Sequence, residues 1–457
     1  MVGAEDFGIY TEMIAYTGLL NIVLTYGLET GFFRFANKYD PGRVFSTAFM
    51  SIVSTSSIVV VIFLFFRDYF TRVSGYTDYS LYLLLVVIVI VMDSLLAIPF
   101  AKLRFKNRPL RFSIIKLVNV ITTILIALFF LSACPYLIEK HNVGFLKSIY
   151  NPDFKVGYVF VAYIVSGIVS LIMLLPEIVE VRFIFDRRIF KELIYYSFPI
   201  MISQIAGFLP DAFDKIMLKH LDTSADPLKS LGVYGANIKF AALVNIAIQM
   251  FRYAAEPFFF SESGKDSANK TYADIIKYVS VFGFIIFMFL TFNLPMLKYI
   301  IGEEFRNSLD VVHILVFSYV LYGIFYSLSV WYKVSDNTHL AFIFTGVGAL
   351  ITIGANIWLI PLFGYHSSAW IRVATYMAMI VVSYIFSRYY YKIDINVKRI
   401  LFYFVICFSL YLIGKSIHFE NLSFALIFKN TLILLFVLMI VRVEGLYKFI
   451  LKRKLKG

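Results

Sequence analysis

Apolar positions along this chain run together in thirteen stretches of about 15 to 26 residues, and polar positions are largely confined to the junctions between them. A helix needs roughly 20 apolar residues to cross about 30 Å of hydrocarbon, where every backbone N–H and C=O must find its partner within the helix. The pattern predicts spans at 9–31, 44–66, 79–100, 112–133, 156–175, 197–218, 233–258, 273–297, 311–334, 340–363, 367–390, 400–414 and 422–441. The expected fold class is an all-α polytopic membrane protein with about 13 transmembrane helices. The longest polar connection, 134–155, has room for a short amphipathic piece and hardly for a folded catalytic unit.

Basic residues then set the orientation. The junctions after odd-numbered spans hold Arg34, Lys38 and Arg43; Lys102, Arg104, Lys106, Arg108 and Arg111; Arg182, Arg187, Arg188 and Lys191; Lys265 and Lys270; and Arg388, Lys392 and Lys398. The tail adds Arg442, Lys448, Lys452, Arg453, Lys454 and Lys456, and the even junctions hold far fewer. The positive-inside rule places the odd junctions and the C-terminus in the cytoplasm and the N-terminus outside.

Composition agrees with the membrane reading, since 60% of residues are hydrophobic and only 16% charged. The net charge of +13 is spread over short loops and a tail instead of one soluble face, so nucleic acid is not an expected partner. Cys134 and Cys407 have neither a CxxC spacing nor histidine companions, which supports no disulfide framework, metal site or cofactor. Glu5 and Asp6 stand where a cleavable signal would carry basic residues.

Gly8-Ile9-Tyr10, opening the first span, recurs as Gly232-Val233-Tyr234, opening the seventh, at an offset of 224 residues. Both spans have the same expected direction, the arrangement of a parallel repeat about an axis along the membrane normal. The second copy begins with an additional helix, 197–218, that has no counterpart before Gly8. The repeat therefore suggests a parent with fourteen spans whose first helix is absent from the sequence as written, with a genuine thirteen-span protein as the alternative.

Further residues join these: Gly27-Leu28-Glu29, Phe33-Arg34-Phe35, Tyr196-Ser197-Phe198-Pro199, Asp214-Lys215, Asn356 and Ile360-Pro361-Leu362-Phe363-Gly364. Over essentially its whole length the chain resembles the bacterial polysaccharide-export flippases, the Wzx-like O-antigen branch of the multidrug/oligosaccharidyl-lipid/polysaccharide exporter superfamily. The resemblance implies two six-helix lobes around a central cavity, often with two added C-terminal helices. Mapped on this chain, the N-terminal lobe takes 1–180, the C-terminal lobe 192–391, and the added helices with the basic tail 392–457. It also implies transfer of a polyprenyl-pyrophosphate-linked oligosaccharide from the cytoplasmic to the outer leaflet of the bacterial inner membrane, alongside polysaccharide assembly proteins. Two departures are the absent first helix and Tyr365-His366-Ser367-Ser368 after Gly364, where the family often continues with Gly and Ala.

Ionisable groups inside spans cost about 2.5–3.5 kcal/mol on insertion scales, so they usually face a bundle interior or a wet cavity. Asn245, Gln249, Arg252 and Glu256 form one polar stripe on the seventh span, where Arg252 could fork onto a phosphate with Glu256 holding it in the empty state. The bland reading of the stripe is an interhelical seam. Asp211, Asp214 and Lys215 follow Pro210 and share a helix face, as an ion-coupling or gating cluster or as a structural pair. Glu29 and Arg34 close the first span, where Arg34 could meet an incoming pyrophosphate or snorkel. Lys116, Asn119 and Thr123 form a short polar face, and Asp93 could join Lys116 and the loop arginines in a network. Lys239, Lys333 and Arg372 are expected to snorkel.

Three functions fit to different degrees: a flippase working by alternating access, with H+ or Na+ as candidate coupling ion; a drug or metabolite antiporter of the same superfamily; and a membrane polysaccharide polymerase or ligase. Arg252 argues mildly against the antiporter, and the loop 134–155 has no recognisable catalytic spacing. The chain is therefore read as a transporter and not an enzyme.

Overall fold

The computed structural model describes residues 3–445 apart from 142–143, 180–183, 263–267, 336 and 418. Within the described residues thirteen helical segments are long and apolar enough to cross a membrane. They are built from α1 (Ala4–Thr25), α2 (Leu28–Ala36), α3 (Pro41–Phe65), α4 (Ser80–Phe105), α5 (Pro109–Leu128), α6 (Gly157–Val179) and α7 (Arg187–Leu221). After these come α8 (Pro227–Glu262), α9 (Ala268–Phe292), α10 (Asp310–Leu328), α11 (Ala341–Phe363), α12 (Tyr365–Tyr390), α13 (Val397–Ser416) and α14 (Leu422–Val443). This is a multi-pass, all-helical membrane protein, with Ile58, Val61 and Leu64 of α3 among the large apolar side chains left exposed, as lipid-facing positions are.

Local chemistry explains several boundaries. Asp40 caps α3 by accepting the Arg43 N–H at 2.8 Å, with Pro41 at the first helical position where its missing donor costs nothing. Asn396 and Asn421 cap α13 and α14 in the same way. The first span differs from the single helix expected, because Tyr26 (φ 46°) and Gly27 (φ 69°) adopt left-handed backbone and divide it into α1 and α2. Gly27 suits that conformation, and a Cβ there would lie 2.9 Å from the Ser197 carbonyl oxygen on α7. The break turns Glu29 and Thr30 relative to α1.

By packing, the chain divides into two compact units, residues 1–220 with 225–232 and residues 221–224 with 233–457. This packing groups α7 with the helices before it, whereas the resemblance implied a second lobe over 192–391. Close approach of α7 to Gly27 and Gly31 of the first span, where Ser197 fills the space beside both glycines, accounts for that grouping. In the first unit, Phe32, Phe45, Ala48, Ile98 and Leu193 make one core, and Ile9, Met13, Tyr82, Val86 and Phe160 another. Gly8 of α1 and Gly232 at the start of α8 also meet in this unit, so the glycines of the two matching triplets touch one another.

The second unit is tied by buried polar bonds between helices: Trp331 Nε1 donates to Ser383 Oγ at 3.1 Å, and Ser368 Oγ donates to Asn356 Oδ1 at 3.0 Å. Arg372 corrects the sequence reading. It does not snorkel but is 1% exposed, with its guanidinium 4.9 Å from the Tyr319 ring centroid. A buried face on α12 takes precedence over nearness to the span end, because the neighbouring ring offers the planar cation a partner without a route to water. Lys239 is exposed, and the side chain of Lys333 lies outside the described residues.

Candidate functional site

The first unit contains a polar cavity of about 490 Å³ whose lining includes Asn21, Thr25, Glu29, Asp93, Arg104, Lys116 and Gln204. Helical geometry assembles it. Asp93, Ala97, Phe100 and Arg104 stand at i, i+4, i+7 and i+11 on α4, so one face spans about 16 Å at 1.5 Å per residue. Phe112 and Lys116 supply successive turns of α5, Asn21 and Thr25 the last turns of α1, and Gln204 comes from α7. The turn at Tyr26–Gly27 brings Glu29 in from α2.

Charge in the cavity is balanced and partly paired. Arg104 donates to Glu29 at 2.7 Å, with both side chains open to solvent. The Lys116 ammonium sits 4.3 Å above the Phe100 ring centroid, and the charges of Asp93, Glu29 and Arg104 act on it. Arg104 also lies 5.3 Å from the Phe33 ring centroid and 5.8 Å from that of Phe112. The Asn21 carboxamide oxygen is buried without a hydrogen-bond partner. The result is two cations and two carboxylates held on rigid helices around an aromatic floor. Such a site can exchange one internal partner for a bound anion or cation at modest cost, because an exposed pair contributes only about 0.2–1 kcal/mol.

Of the residues named from sequence, Glu29, Lys116 and Asp93 come together here. Arg34 does not line the cavity and instead lies exposed, with its guanidinium 4.2 Å from the Tyr196 ring centroid. Asp211 and Lys215 pair within their own helix turn at 3.5 Å, while Asp214 is buried and accepts the Lys215 N–H at 2.8 Å. Asn119 donates to Ser170 on α6 at 2.9 Å, and Thr123 to the Asn119 carbonyl, so that polar face is a helix seam. Asn245 is half-buried on α8, and the side chains of Gln249, Arg252 and Glu256 lie outside the described residues.

The loop arginines separate. Arg104 joins the cavity, whereas Arg111 and Arg108 turn to buried Glu177 at 3.1 and 4.0 Å, and Lys102 donates to the Glu177 carbonyl at 2.6 Å. Sequence reasoning passed over Glu177, and also over Glu12. The latter is fully buried on α1, accepts from the Tyr76 hydroxyl and lies 3.2 Å from Lys219 and 3.6 Å from His220. Burial, and then the adjacent Glu12 charge, push the Tyr76 phenol well above its ordinary value. A carboxylate inside the predicted first span was the signal available for Glu12.

An all-helical, multi-pass fold with a charged cavity among its helices defines a transporter-like membrane protein. Residues 1–263 match the polysaccharide biosynthesis protein family, and the chain belongs to it. No curated protein matches. Among solved structures, the chain is similar to the lipid II flippase MurJ in an inward closed conformation, with a TM-score of 0.70 at 14% identity, covering 96% of this chain and 97% of that one. It is also similar to an inward-facing multidrug resistance MATE family transporter of the MOP superfamily, with a TM-score of 0.65 at 14% identity over 84% and 89% of the two chains. A MOP superfamily transporter from Pyrococcus furiosus gives a TM-score of 0.57 at 13% identity over 85% and 88%. At these identities the likeness is one of fold.

Proposed function

We propose that the chain flips a polyprenyl-pyrophosphate-linked oligosaccharide from the cytoplasmic to the outer leaflet of a bacterial inner membrane during O-antigen or capsule biosynthesis, with its C-terminus in the cytoplasm. The observation that carries this reading is the pairing of Arg104 and Lys116 in one intramembrane cavity with displaceable carboxylate partners. A pyrophosphate diester brings two negative charges. Arg104 offers a planar donor fork and Lys116 a point charge, and the anion replaces Glu29 on Arg104. Moving two charges outward from an inside-negative cytoplasm yields about 4.6 kcal/mol per 100 mV, which favours the direction proposed. Transport proceeds by alternating access. H+ or Na+ on Asp93 or Glu29 compensates charge on the return, with Arg252, Asn245 and Gln249 of α8 as further substrate contacts and Asp211, Asp214, Lys215 and Glu256 as gating groups.

Family membership and the name of the flippase neighbour support a lipid-linked substrate. The multidrug neighbour and the two cavity carboxylates favour a second reading, export of an organic cation. Vesicles containing the purified protein separate them. The expected result is that a fluorescent polyprenyl-pyrophosphate oligosaccharide is flipped and that Arg104→Ala with Lys116→Ala abolishes flipping at equal reconstitution. Efflux of a cationic dye that survives this double substitution, without lipid flipping, would replace the proposal by the second reading.

A further inference from the structure

The second unit carries two adjoining cavities apart from the charged site. One, of about 580 Å³, has aromatic walls that include Phe284, Phe287, Phe317, Phe404, Phe408 and Trp370. The other, of about 340 Å³, takes Lys298, Lys415 and Lys429 into its lining. His313, Tyr411 and Lys415 belong to both, so the cationic end opens onto the aromatic slot.

The lysines converge by construction. Asn293 and Asn430 exchange amide hydrogen bonds at 3.2 and 3.1 Å, fixing the end of α9 against α14 and with it Lys429 against the segment that bears Lys298. Gly414 on α13 lets the Phe292 ring lie where a larger residue would collide, which brings Lys415 to the same place. The charges of Lys415 and Lys429 both act on His313, whose Nδ1 is buried without a hydrogen-bond partner. Among the described residues no salt bridge to a carboxylate neutralises these three lysines, while Asp310, on the rim of the aromatic slot, is taken by His366 at 2.8 Å. Lys298 and Lys415 also stand at even-numbered junctions, where the chain otherwise holds few basic residues, and Lys429 lies two turns inside α14.

From this geometry we infer a binding site for an anionic phospholipid, with its phosphate on Lys298, Lys415 and Lys429 and an acyl chain in the slot between α9, α10, α12 and α13. Charge complementarity selects the headgroup, because three unneutralised ammonium groups at one edge of an apolar cleft repel one another until an anion joins them. The aromatic walls select an amphiphile over a free anion. The cleft is separate from the cavity of Arg104 and Lys116, so this inference does not depend on the transported substrate.

Trp370 in the slot provides the readout. Phosphatidylglycerol brominated on its acyl chain, titrated into phosphatidylcholine nanodiscs that hold the full chain, is expected to quench fluorescence saturably, and Trp370→Phe to remove that component. Replacing all three lysines by glutamine should weaken binding by about fivefold per lysine, whereas replacing all three by arginine should retain it. Excess inorganic phosphate should not displace the lipid. Quenching that is equal with brominated phosphatidylcholine, or that rises without saturation, would mean bulk lipid contact and overturn the inference. It would also be overturned by displacement with phosphate alone, by competition from a polyprenyl pyrophosphate but not from unbrominated phosphatidylglycerol, or by equal loss in the arginine variant.

Discussion

Glu12 and Lys219 face each other at 3.2 Å inside the first unit, with side chains 0% and 9% exposed. Tyr76 closes the group, its hydroxyl on Glu12 and its ring centroid 3.2 Å from the Lys219 ammonium, which also donates to the Ser74 carbonyl at 2.5 Å. Removing one member strands a buried charge, and the usual penalty is about 3–5 kcal/mol. Glu12→Gln and Lys219→Met are each expected to lower the thermal unfolding midpoint substantially. The double variant should be less destabilised than the sum of the two, by a coupling of about 1–3 kcal/mol. Strictly additive losses would mean that the two groups are stabilised by separate surroundings.

Two opposed effects meet when either Gly8 or Gly232 is replaced by alanine. Alanine favours an isolated helix over glycine by about 1 kcal/mol. At both sites, however, the new Cβ runs into backbone carbonyls, of Leu228 for Gly8 and of Ala4 for Gly232, and overpacking of this kind costs about 1–3 kcal/mol. The collision should win, so Gly8→Ala and Gly232→Ala are expected to reduce the unfolding midpoint and yield. Gly354→Ala on α11, with no neighbouring helix within 4 Å of the added carbon, serves as the control and should be neutral or stabilising. Equal behaviour at all three positions would show that α1 and α8 are not in close contact at these glycines.

Those two glycines also mark what the sequence made legible. Span number and helical class followed from length and apolarity, because the bilayer leaves few alternatives. The Gly8 and Gly232 triplets were readable as a short matching pattern, and each glycine lies where a Cβ would meet the other helix's backbone. What sequence could not supply was partner choice among charges. Arg104, Arg108 and Arg111 looked equivalent as loop cations, yet the first turns to Glu29 and the others to Glu177, a sorting decided by helix phase and by the position of α6. Asp211 and Lys215, readable from sequence as a coupling or gating cluster or as a structural pair, lie one turn apart on α7 at 3.5 Å. The division of the first span escaped because Tyr26 adopts a backbone conformation that only Gly27 beside it advertised.

Glu444 ties α9, α13 and the end of α14 together, accepting from Tyr403 at 2.5 Å and pairing with Lys277 at 2.9 Å and Arg399 at 3.0 Å. Burial raises its carboxyl, but the hydrogen bonds from Tyr403 and Lys277 and the charges of Lys277 and Arg399 outweigh burial and hold it below its ordinary value of 4.5. A depressed folded-state value means that the contribution to stability is complete above the ordinary value and is lost as pH falls below it toward the folded one. Glu444→Gln is expected to destabilise the protein at pH 7 and to differ progressively less from wild type as pH drops below about 4.5. Unfolding midpoints across pH 3–7 check this, and a gap that stays constant with pH would show that the charge of Glu444 is not what stabilises.

Glu29 sets the strength with which the cavity holds an anion. Its bond to Arg104 joins two side chains each 43% exposed, so the pair stabilises the fold by no more than about 1 kcal/mol. Glu29→Gln should therefore leave the unfolding midpoint nearly unchanged while releasing Arg104 for the substrate. If pyrophosphate competes with Glu29, a polyprenyl pyrophosphate should bind this variant about two- to fivefold more tightly, the equivalent of the pair it no longer has to break. Tighter binding slows release, so flipping should fall even as affinity rises. Lys116→Ala, which removes a cation without freeing another, should lower affinity and flipping together. Weaker binding in Glu29→Gln would show that the carboxylate is itself a substrate contact, the outcome expected of a cavity built for a cation.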